Sequence, residues 1–306
     1  IQDVDPSLSN YGVISEHPEL IDINLYDMPM WDLGVFDWTH CNSVDYNEEL
    51  DQIVISSRNM NEFYVIDHST TTEEAAGHTG GNSGKGGDIL YRWGNPMNYG
   101  RGTEDDMMVM GQHDVNWIES GYPGEGNFLL YNNGAVSGWG DMGHQSSILE
   151  ITPPMNELGE YIIDDSMAFG PVSTTWSHSE DFFAPFMCGT RRLPNGNTLI
   201  IVSTDMHIFE VTPEGEIAWE YLHIPDGQTT ISKSIKYPLD YLITASGMPG
   251  DVNNDYNIDL LDVILLISSI LLEVNLSQIE SNQGDLNEDG IISVEDIVLI
   301  LNIILT

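Results

Sequence analysis

Short apolar runs separated by turn residues recur along the first 245 residues, and their spacing indicates a repeated structural unit. The apolar strand of each unit is predicted at 52–57, 126–131 and 196–202, so the units begin 74 and 70 residues apart. Second strands are predicted at 63–67, 147–151 and 208–211, and aromatic outer strands at 159–161 and 215–221. Each unit therefore predicts three or four antiparallel strands.

Repeated small sheets are typical of β-propellers, in which neighbouring blades bury each other's faces. We predict a mainly β fold with about three blades, and a β-sandwich is the competing interpretation. Because propellers close with four or more blades, we expect missing blades upstream of Ile1 or a partner that completes the ring.

A long polar segment at 69–87 interrupts the first unit and contains six glycines. Such glycines suggest a phosphate-binding loop, but their spacing matches neither nucleotide-binding fingerprint and no strand–helix context surrounds them. We interpret the segment as an insertion.

The pattern changes near residue 245, where small residues and Pro end the strand-like runs. Beyond this point apolar residues recur at helical spacing in 260–272 and 294–304. Each helix follows an acidic loop, and the loops begin 34 residues apart, at 251 and 285. We predict a β domain at 1–245, a linker at 246–250 and a small all-α domain at 251–306.

Both loops carry oxygen ligands where an EF-hand loop binds calcium, since Ca²⁺ prefers six to eight oxygens from loop positions 1, 3, 5, 7, 9 and 12. The first loop offers Asp251, Asn253, Asp255, Asn257, Asp259 and Asp262. The second offers Asp285, Asn287, Asp289, Ile291, Ser293 and Asp296, with Ile291 acting through its carbonyl. Solvated acidic turns are the alternative, but two loops in register with trailing helices favour two calcium sites.

Aspartate at position 12 and the lack of helices before the loops resemble the repeats of dockerins, which bind calcium and attach enzymes to cohesin-bearing scaffolds. The resemblance implies a cohesin-like partner. The positions that often carry a Ser-Thr recognition pair are here Leu260-Leu261 and Val294-Glu295. Tyr256 takes the sixth position of the first loop, where a bulky residue at positive φ is costly, so we expect this site to be the weaker.

The net charge limits the classes of partner that the protein can bind. The chain has 49 acidic residues but only 8 Lys and Arg, which gives a formal net charge of −41. Nucleic acids and anionic membranes are bound mainly through Lys and Arg, so this charge balance argues against both as partners. The run 263–272 is too short to span a bilayer. Cys41 and Cys188 form either one bridge or two free thiols. We expect an acidic protein that is secreted, periplasmic or at the cell surface.

The scarce histidines and arginines suggest one anion-binding site. His40 precedes the first unit, and His113 takes the same place in the next unit, 73 residues later. Equivalent positions of neighbouring blades line a propeller channel, so we expect the two imidazoles to converge; hydrogen-bonded structural histidines are the alternative. The arginines expected to form a cationic pocket beside them are Arg58, Arg92, Arg191 and Arg192.

Six stretches resemble the bacterial arylsulfotransferases, which use phenolic sulfates rather than a nucleotide as sulfate donor. They include Asp37-Trp-Thr-His-Cys-Asn and Gln112-His-Asp, and they lie at 11–24, 37–47, 55–58, 87–96, 112–114 and 192–200. Members of this family are six-bladed propellers, usually exported, in which a channel histidine takes up the sulfuryl group. The resemblance implies catalytic roles for His40, His113, Arg191 and Arg192, and substrate binding by Asn42, Arg58 and Arg92.

The third unit departs from the family pattern. It has Phe186-Met-Cys-Gly-Thr-Arg where a third channel histidine is expected, and His178 is a candidate substitute. The resemblance predicts transfer of a sulfuryl group from a phenolic sulfate donor to a phenol acceptor by a ping-pong route. The alternative is a non-catalytic propeller, a binding or surface-display module tethered through the calcium domain.

Overall fold

The computed structural model describes residues 13–22, 25, 37–134, 145–156, 158–163, 167–180, 182–222, 230–237, 248–272, 274–287 and 289–305. The chain divides into two compact units, Ile1–Ser234 and Ile235–Thr306. The borders at 1–245, 246–250 and 251–306 stay predictions, and residues 246 and 247 of the linker lie outside the described residues.

In its described residues the first unit contains three four-stranded antiparallel sheets, each with its strands paired in chain order. The first sheet has β1 (Cys41–Asn47), β2 (Gln52–Ser57), β3 (Glu62–Asp67) and β4 (Tyr91–Trp93). The second has β5 (His113–Trp117), β6 (Phe128–Asn132), β7 (Ser147–Ile151) and β8 (Trp176–His178). The third has β9 (Gly189–Arg192), β10 (Thr198–Val202), β11 (His207–Val211) and β12 (Ile217–Leu222).

The first strands of the three sheets run side by side. Ser43 Oγ accepts a hydrogen bond from Val115 N (3.0 Å) and Asp45 Oδ2 one from Trp117 N (3.0 Å). Both bonds join residues 72 apart, so β1 and β5 are parallel. Asp114 on β5 in turn accepts from Thr190 N on β9 (2.9 Å). Adjacent parallel first strands are what a propeller places around its channel.

Aromatic and aliphatic side chains fill the space between the sheets. Tyr91 and Phe128 stack with their ring centres 5.8 Å apart between the first and second sheets. Tyr131, Ile200 and Phe209 belong to a second cluster between the second and third sheets. Each such side chain stabilises the fold by roughly 2–3 kcal/mol through burial. The core therefore fixes the ends of β1, β5 and β9 relative to one another.

Residues 159–161 do not form the predicted outer strand of the second sheet. They contribute only an isolated bridge between Met155 and Tyr161, and β8 closes the sheet instead. Pro153 and Pro154 directly follow β7 and have no N–H to donate to a ladder, so the chain leaves the sheet there.

The glycine-rich segment 69–87 wraps around a carboxylate of the chain itself. Asp67 accepts hydrogen bonds from Ser69 N (2.9 Å) and Ser83 N (2.8 Å). Burial raises the pKa of Asp67, but these hydrogen bonds outweigh it and the pKa is lowered. A Cβ on Gly81 would meet Asp67 Oδ2 at 2.5 Å. The backbone N–H groups of Ser69 and Ser83, which could otherwise bind a phosphate, thus donate to the Asp67 carboxylate. The segment also contains a short helix, α1 (Thr72–Ala75).

Where the structure describes the second unit, it contains three helices, α2 (Leu260–Ile270), α3 (Gln278–Gly284) and α4 (Val294–Ile304). The predicted fold class, mainly β with a small helical C-terminal domain, is confirmed. Our expectation that no helix precedes the loops is wrong for the second loop, because α3 leads into it. No helix in the described ranges is long and apolar enough to cross a membrane.

Candidate functional site

His40 lies directly before β1 and is held by Asp37. Asp37 Oδ1 accepts from the backbone N of His40 (3.1 Å), and Oδ2 contacts Nδ1 of its ring. About 39% of the His40 side chain is exposed. Since Nδ1 faces the carboxylate, Nε2 is the ring nitrogen left for chemistry, and Asp37 can stabilise a positive charge on the ring.

His113, the first residue of β5, is buried, with 8% of its surface exposed. Its Nδ1 lies 2.8 Å from Asn133 Oδ1 and 3.0 Å from Gly111 O, while Nε2 accepts a hydrogen bond from Met187 N (3.1 Å). Burial lowers the pKa of His113 to about 4 against the opposing effect of the Asn133 and Gly111 bonds. The imidazole is therefore neutral at pH 7.

Arg58 follows β2 and brings a positive charge to the two histidines. Its backbone N donates to His40 O (3.1 Å), and its charge, together with that of His40, lowers the pKa of His113 further. Only 6% of Arg58 is exposed, and its NH2 atom has no hydrogen-bond partner within the described part of the chain. Burial lowers the pKa of Arg58, and Asp37 opposes this. A buried guanidinium with an open donor is suited to binding an anion.

Asn42 lies on β1 beside this cluster. Its Nδ2 donates to Gln112 O (2.7 Å), which joins the starts of the first two sheets. Its Oδ1 is buried without a hydrogen-bond partner among the described residues. The Asn42 amide therefore uses Nδ2 to hold the two sheets together and leaves Oδ1 available to accept a hydrogen bond from a ligand.

Arg92 is not brought to the histidines. It is completely buried and forms two bonds to Glu62, Nε to Oε1 (2.9 Å) and NH2 to Oε2 (2.6 Å), while NH1 donates to Leu20 O (2.7 Å). Its guanidinium also lies 4.3 Å from the centre of the Tyr99 ring. Because every nitrogen of the guanidinium faces a protein partner, this placement argues against the expected role in substrate binding.

The two arginines of β9 point to different partners. Arg191 NH1 donates to Asp114 Oδ2 (2.8 Å), and Lys233 Nζ lies 3.7 Å from the other oxygen of the same carboxylate. Arg192 is buried and forms an ion pair with Glu150. Arg192 is thus neutralised by Glu150, whereas Asp114 faces two cations, Arg191 and Lys233. The catalytic roles expected for Arg191 and Arg192 stay predictions.

Cys188 occupies the place in the third sheet where a further histidine was expected. Its thiol is buried, which raises its pKa to about 12, and it accepts from Ser203 N (3.3 Å). Cys41 and Cys188 are both free. His178 packs against Phe182, with ring centres 5.9 Å apart, in the core between the second and third sheets. Neither Cys188 nor His178 supplies a third reactive imidazole.

The two acidic loops fold in the same way around their first aspartate. Asp251 Oδ2 accepts from Tyr256 N (2.9 Å), and Asp285 Oδ2 accepts from Gly290 N (2.7 Å). Tyr256 has φ 68° and Gly290 has φ 83°, so the tyrosine adopts the left-handed turn despite its Cβ. The first loop is therefore strained but retains the geometry of the second.

The last aspartate of each loop is buried beneath it. Asp262 Oδ2 accepts from Asp259 N (2.9 Å), and Asp296 Oδ2 accepts from Ser293 N (2.8 Å). Residues 251–306 contain eleven acidic residues and no Lys, Arg or His to balance them. Across the described residues, no three His, Cys, Asp or Glu side chains form a metal-holding group. The donors of each loop mix carboxylate with amide and carbonyl oxygens, and the second loop adds the hydroxyl of Ser293. Both sets fit Ca²⁺.

Comparison with protein families gives two matches along the chain. The family described as arylsulfotransferase (ASST) matches residues 16–242, and the dockerin type I domain matches residues 249–305. No curated protein matches the chain.

Several solved structures resemble part of the chain. BamB from Moraxella catarrhalis is 9% identical, with a TM-score of 0.33 over 65% of this chain and 44% of that one. A streptogramin B lyase is 14% identical, with a TM-score of 0.31 over 64% and 45%. A protein of unknown function from Bacteroides caccae is 14% identical, with a TM-score of 0.32 over 60% and 45%. The chain spans less than half the length of these structures.

Proposed function

This chain belongs to the arylsulfotransferase family through residues 16–242 and carries a dockerin type I domain at 249–305, and we propose that it transfers a sulfuryl group from a phenolic sulfate ester to a phenol. The observation that supports this most strongly is the cluster of His40, His113 and Arg58. It combines a neutral buried imidazole, an imidazole paired with a carboxylate, and a buried guanidinium with an open donor.

His113 is the nucleophile in this proposal. Its Nε2 carries the lone pair, which forms the N–S bond while the bond from sulfur to the aryl oxygen breaks. The departing phenolate takes a proton from the imidazolium of His40. The positive charge of Arg58 stabilises the sulfuryl oxygens as their charge grows in the transition state.

The second half of the reaction returns the enzyme to its starting state. His40 accepts the proton of the acceptor phenol, whose oxygen attacks sulfur as the N–S bond breaks. The lone pair returns to His113 Nε2 and the proton stays on His40, where Asp37 stabilises it. His113 thus exchanges only the sulfuryl group, and His40 exchanges the protons. Their different surroundings, burial for His113 and the Asp37 carboxylate for His40, favour this division of roles.

Turnover tests the proposal directly. The full chain is incubated with 4-nitrophenyl sulfate and phenol in calcium, and nitrophenolate release is followed. We expect multiple turnovers, and loss of turnover in His113→Gln and His40→Gln. The matched control is His68→Gln, because His68 is also paired through Nδ1 with an aspartate, Asp51 (2.7 Å), but lies at the surface.

A second candidate function is a non-catalytic binding module. The hydrogen bond from Met187 N to His113 Nε2 favours it, because this bond occupies the proposed nucleophile. A folded protein that binds 4-nitrophenyl sulfate but gives no nitrophenolate would support this candidate and contradict transfer.

The helical domain is proposed to bind two calcium ions and to dock onto a cohesin-like partner. The ions would be held by Asp251, Asn253, Asp255, Asn257, Asp259 and Asp262, and by Asp285, Asn287, Asp289, Ile291, Ser293 and Asp296. Bound calcium would supply the positive charge that residues 251–306 lack. A tether of this kind fits a protein that works outside the cytoplasm, in the periplasm, at the cell surface or in the medium.

A further inference from the structure

Asn133, which follows β6, is completely buried and uses both ends of its amide. Its Nδ2 donates to Ala184 O (2.9 Å) and to Met187 O (3.3 Å). Carbonyl oxygens only accept hydrogen bonds, so the amide nitrogen must face them and the amide oxygen must face His113.

This orientation sets the tautomer of His113. Both neighbours of Nδ1, Asn133 Oδ1 and Gly111 O, are acceptors, so Nδ1 must carry the hydrogen. The lone pair of the neutral ring is then on Nε2, where Met187 N–H donates to it. A neutral imidazole has one lone pair, so Nε2 cannot hold this hydrogen bond and attack sulfur at the same time.

Three hydrogen bonds thereby form a closed ring. His113 Nδ1–H donates to Asn133 Oδ1, Asn133 Nδ2–H donates to Met187 O, and Met187 N–H donates to His113 Nε2. The backbone that completes the ring is strained, since Met187 has φ 58° and the following Cys188 has φ 82°. Such conformations are unfavourable for residues other than glycine.

We propose that this ring is a latch on the reactive nitrogen, in which Asn133 is a positioning residue that fixes the tautomer of His113 and the Met187 peptide is the gate that covers Nε2. In the closed state Nε2 is protected. When the Met187 peptide turns away, the same lone pair becomes available to a sulfuryl group. The catalytic meaning of the latch rests on the proposed function, but the tautomer and the gate can be measured without it.

Nitrogen NMR of the full chain labelled with ¹⁵N-histidine tests the positioning role. We expect His113, assigned through His113→Gln, to be a neutral ring with hydrogen on Nδ1. Asn133→Asp keeps an acceptor and should keep this tautomer, whereas Asn133→Ala leaves Gly111 O as the acceptor of Nδ1 and should raise the proportion of the tautomer with hydrogen on Nε2. Hydrogen on Nε2 in the unmodified protein, or an unchanged proportion of the two tautomers in Asn133→Ala, would overturn the proposal.

Carbethoxylation of neutral imidazoles by diethyl pyrocarbonate tests the gate, with peptide mass spectrometry as the readout. His40 is the internal reference, because its side chain is partly exposed. Loss of one hydrogen bond should speed modification of His113 about tenfold in Met187→Pro, which lacks the N–H and cannot adopt φ 58°. Met187→Ala retains the peptide N–H and should match the unmodified protein.

Equal His113 rates in Met187→Pro and Met187→Ala would overturn the gate. Thermal unfolding of each variant identifies those that fail to fold, and the NMR tautomer of the unmodified protein decides the positioning role if Asn133 variants do not fold. Turnover is recorded separately. A latch present in a protein without turnover would contradict the proposed function and leave the latch standing.

Discussion

At the scale of single residues, the buried guanidinium of Arg58 destabilises the fold but is suited to binding an anion. Its guanidinium is buried, and NH2 has no hydrogen-bond partner within the described residues. A buried charge without a full set of partners destabilises a fold, whereas a bound anion turns the same group to advantage.

Arg58→Met should therefore stabilise the protein and inactivate it. We expect the free energy of unfolding in urea to rise by about 1–3 kcal/mol and the turnover of 4-nitrophenyl sulfate to fall about 100-fold or more. Lys85→Met, which removes an exposed cation, is the control and should change neither. Lower stability together with unchanged turnover would contradict the assigned role.

His113 should make stability depend on pH between about 4 and 6.5. Its folded pKa of about 4 lies below the unfolded value, so the unfolded chain binds more protons in this window and stability falls as pH falls. By pH 5 the loss should reach about 2 kcal/mol. It is measured as the difference in urea unfolding between pH 7.5 and 5 for the unmodified protein minus that for His113→Gln, in calcium. Equal pH dependence in both proteins would contradict the burial of a neutral ring.

At the scale of elements, the apolar runs predicted strands and helices well, and polar segments did not. Strands at 52–57 and 147–151 and the helix at 294–304 have the predicted bounds. The first strands β1, β5 and β9 were missed because channel-side strands carry polar side chains and lack an apolar run. The helix α3 was missed for the same reason, as it has seven mostly polar residues.

The same limit explains how much of the candidate site was predictable. The repeat spacing assigned His40 and His113 to the same place in consecutive units, and the structure has His40 directly before β1 and His113 as the first residue of β5. Whether an arginine is free depends on carboxylates far away in sequence. Glu62 lies 30 residues from Arg92, and Glu150 lies 42 residues from Arg192. Only the paired sheets bring these groups together, so a linear pattern could not separate Arg58 from the neutralised arginines.

The buried pair of Glu62 and Arg92 ties the first sheet to the segment that precedes it, because Arg92 also donates to Leu20 O. Glu62→Gln should lower the free energy of unfolding by about 3–5 kcal/mol, since it leaves a buried charge unpaired. The double variant Glu62→Met with Arg92→Met should lose less than Glu62→Gln alone. Urea unfolding of the three proteins measures this, and a larger loss in the double variant would contradict it.

At the scale of the whole molecule, the two units differ in how their charge is balanced. The first unit neutralises several carboxylates with arginine, as in the pairs Arg92–Glu62 and Arg192–Glu150. Residues 251–306 have no cationic side chain at all, so their eleven carboxylates repel one another unless cations are bound.

Chelation should therefore unfold the helical domain and leave the sheets intact. All seven tryptophans precede residue 245, so near-ultraviolet circular dichroism of tryptophan reports the first unit alone. Excess EDTA should remove helical signal in the far ultraviolet without changing the tryptophan signal, and calcium should restore it. Asp285→Ala with Asp296→Ala should show a reduced response, and a far-ultraviolet spectrum indifferent to EDTA would contradict calcium-dependent folding.

Tyr256, the strained residue at the turn of the first loop, is also the only aromatic residue in 251–306. A phenol ring that absorbs ultraviolet light can pass its excitation to a luminescent lanthanide bound close by. Terbium bound in the first loop would lie close to Tyr256, which is part of that loop. The second loop has Gly290 at the equivalent position and so offers no ring to excite the ion. Terbium emission lost in Tyr256→Leu would thus report occupancy of the first loop alone, so the chain carries its own optical probe for the more strained of its two loops.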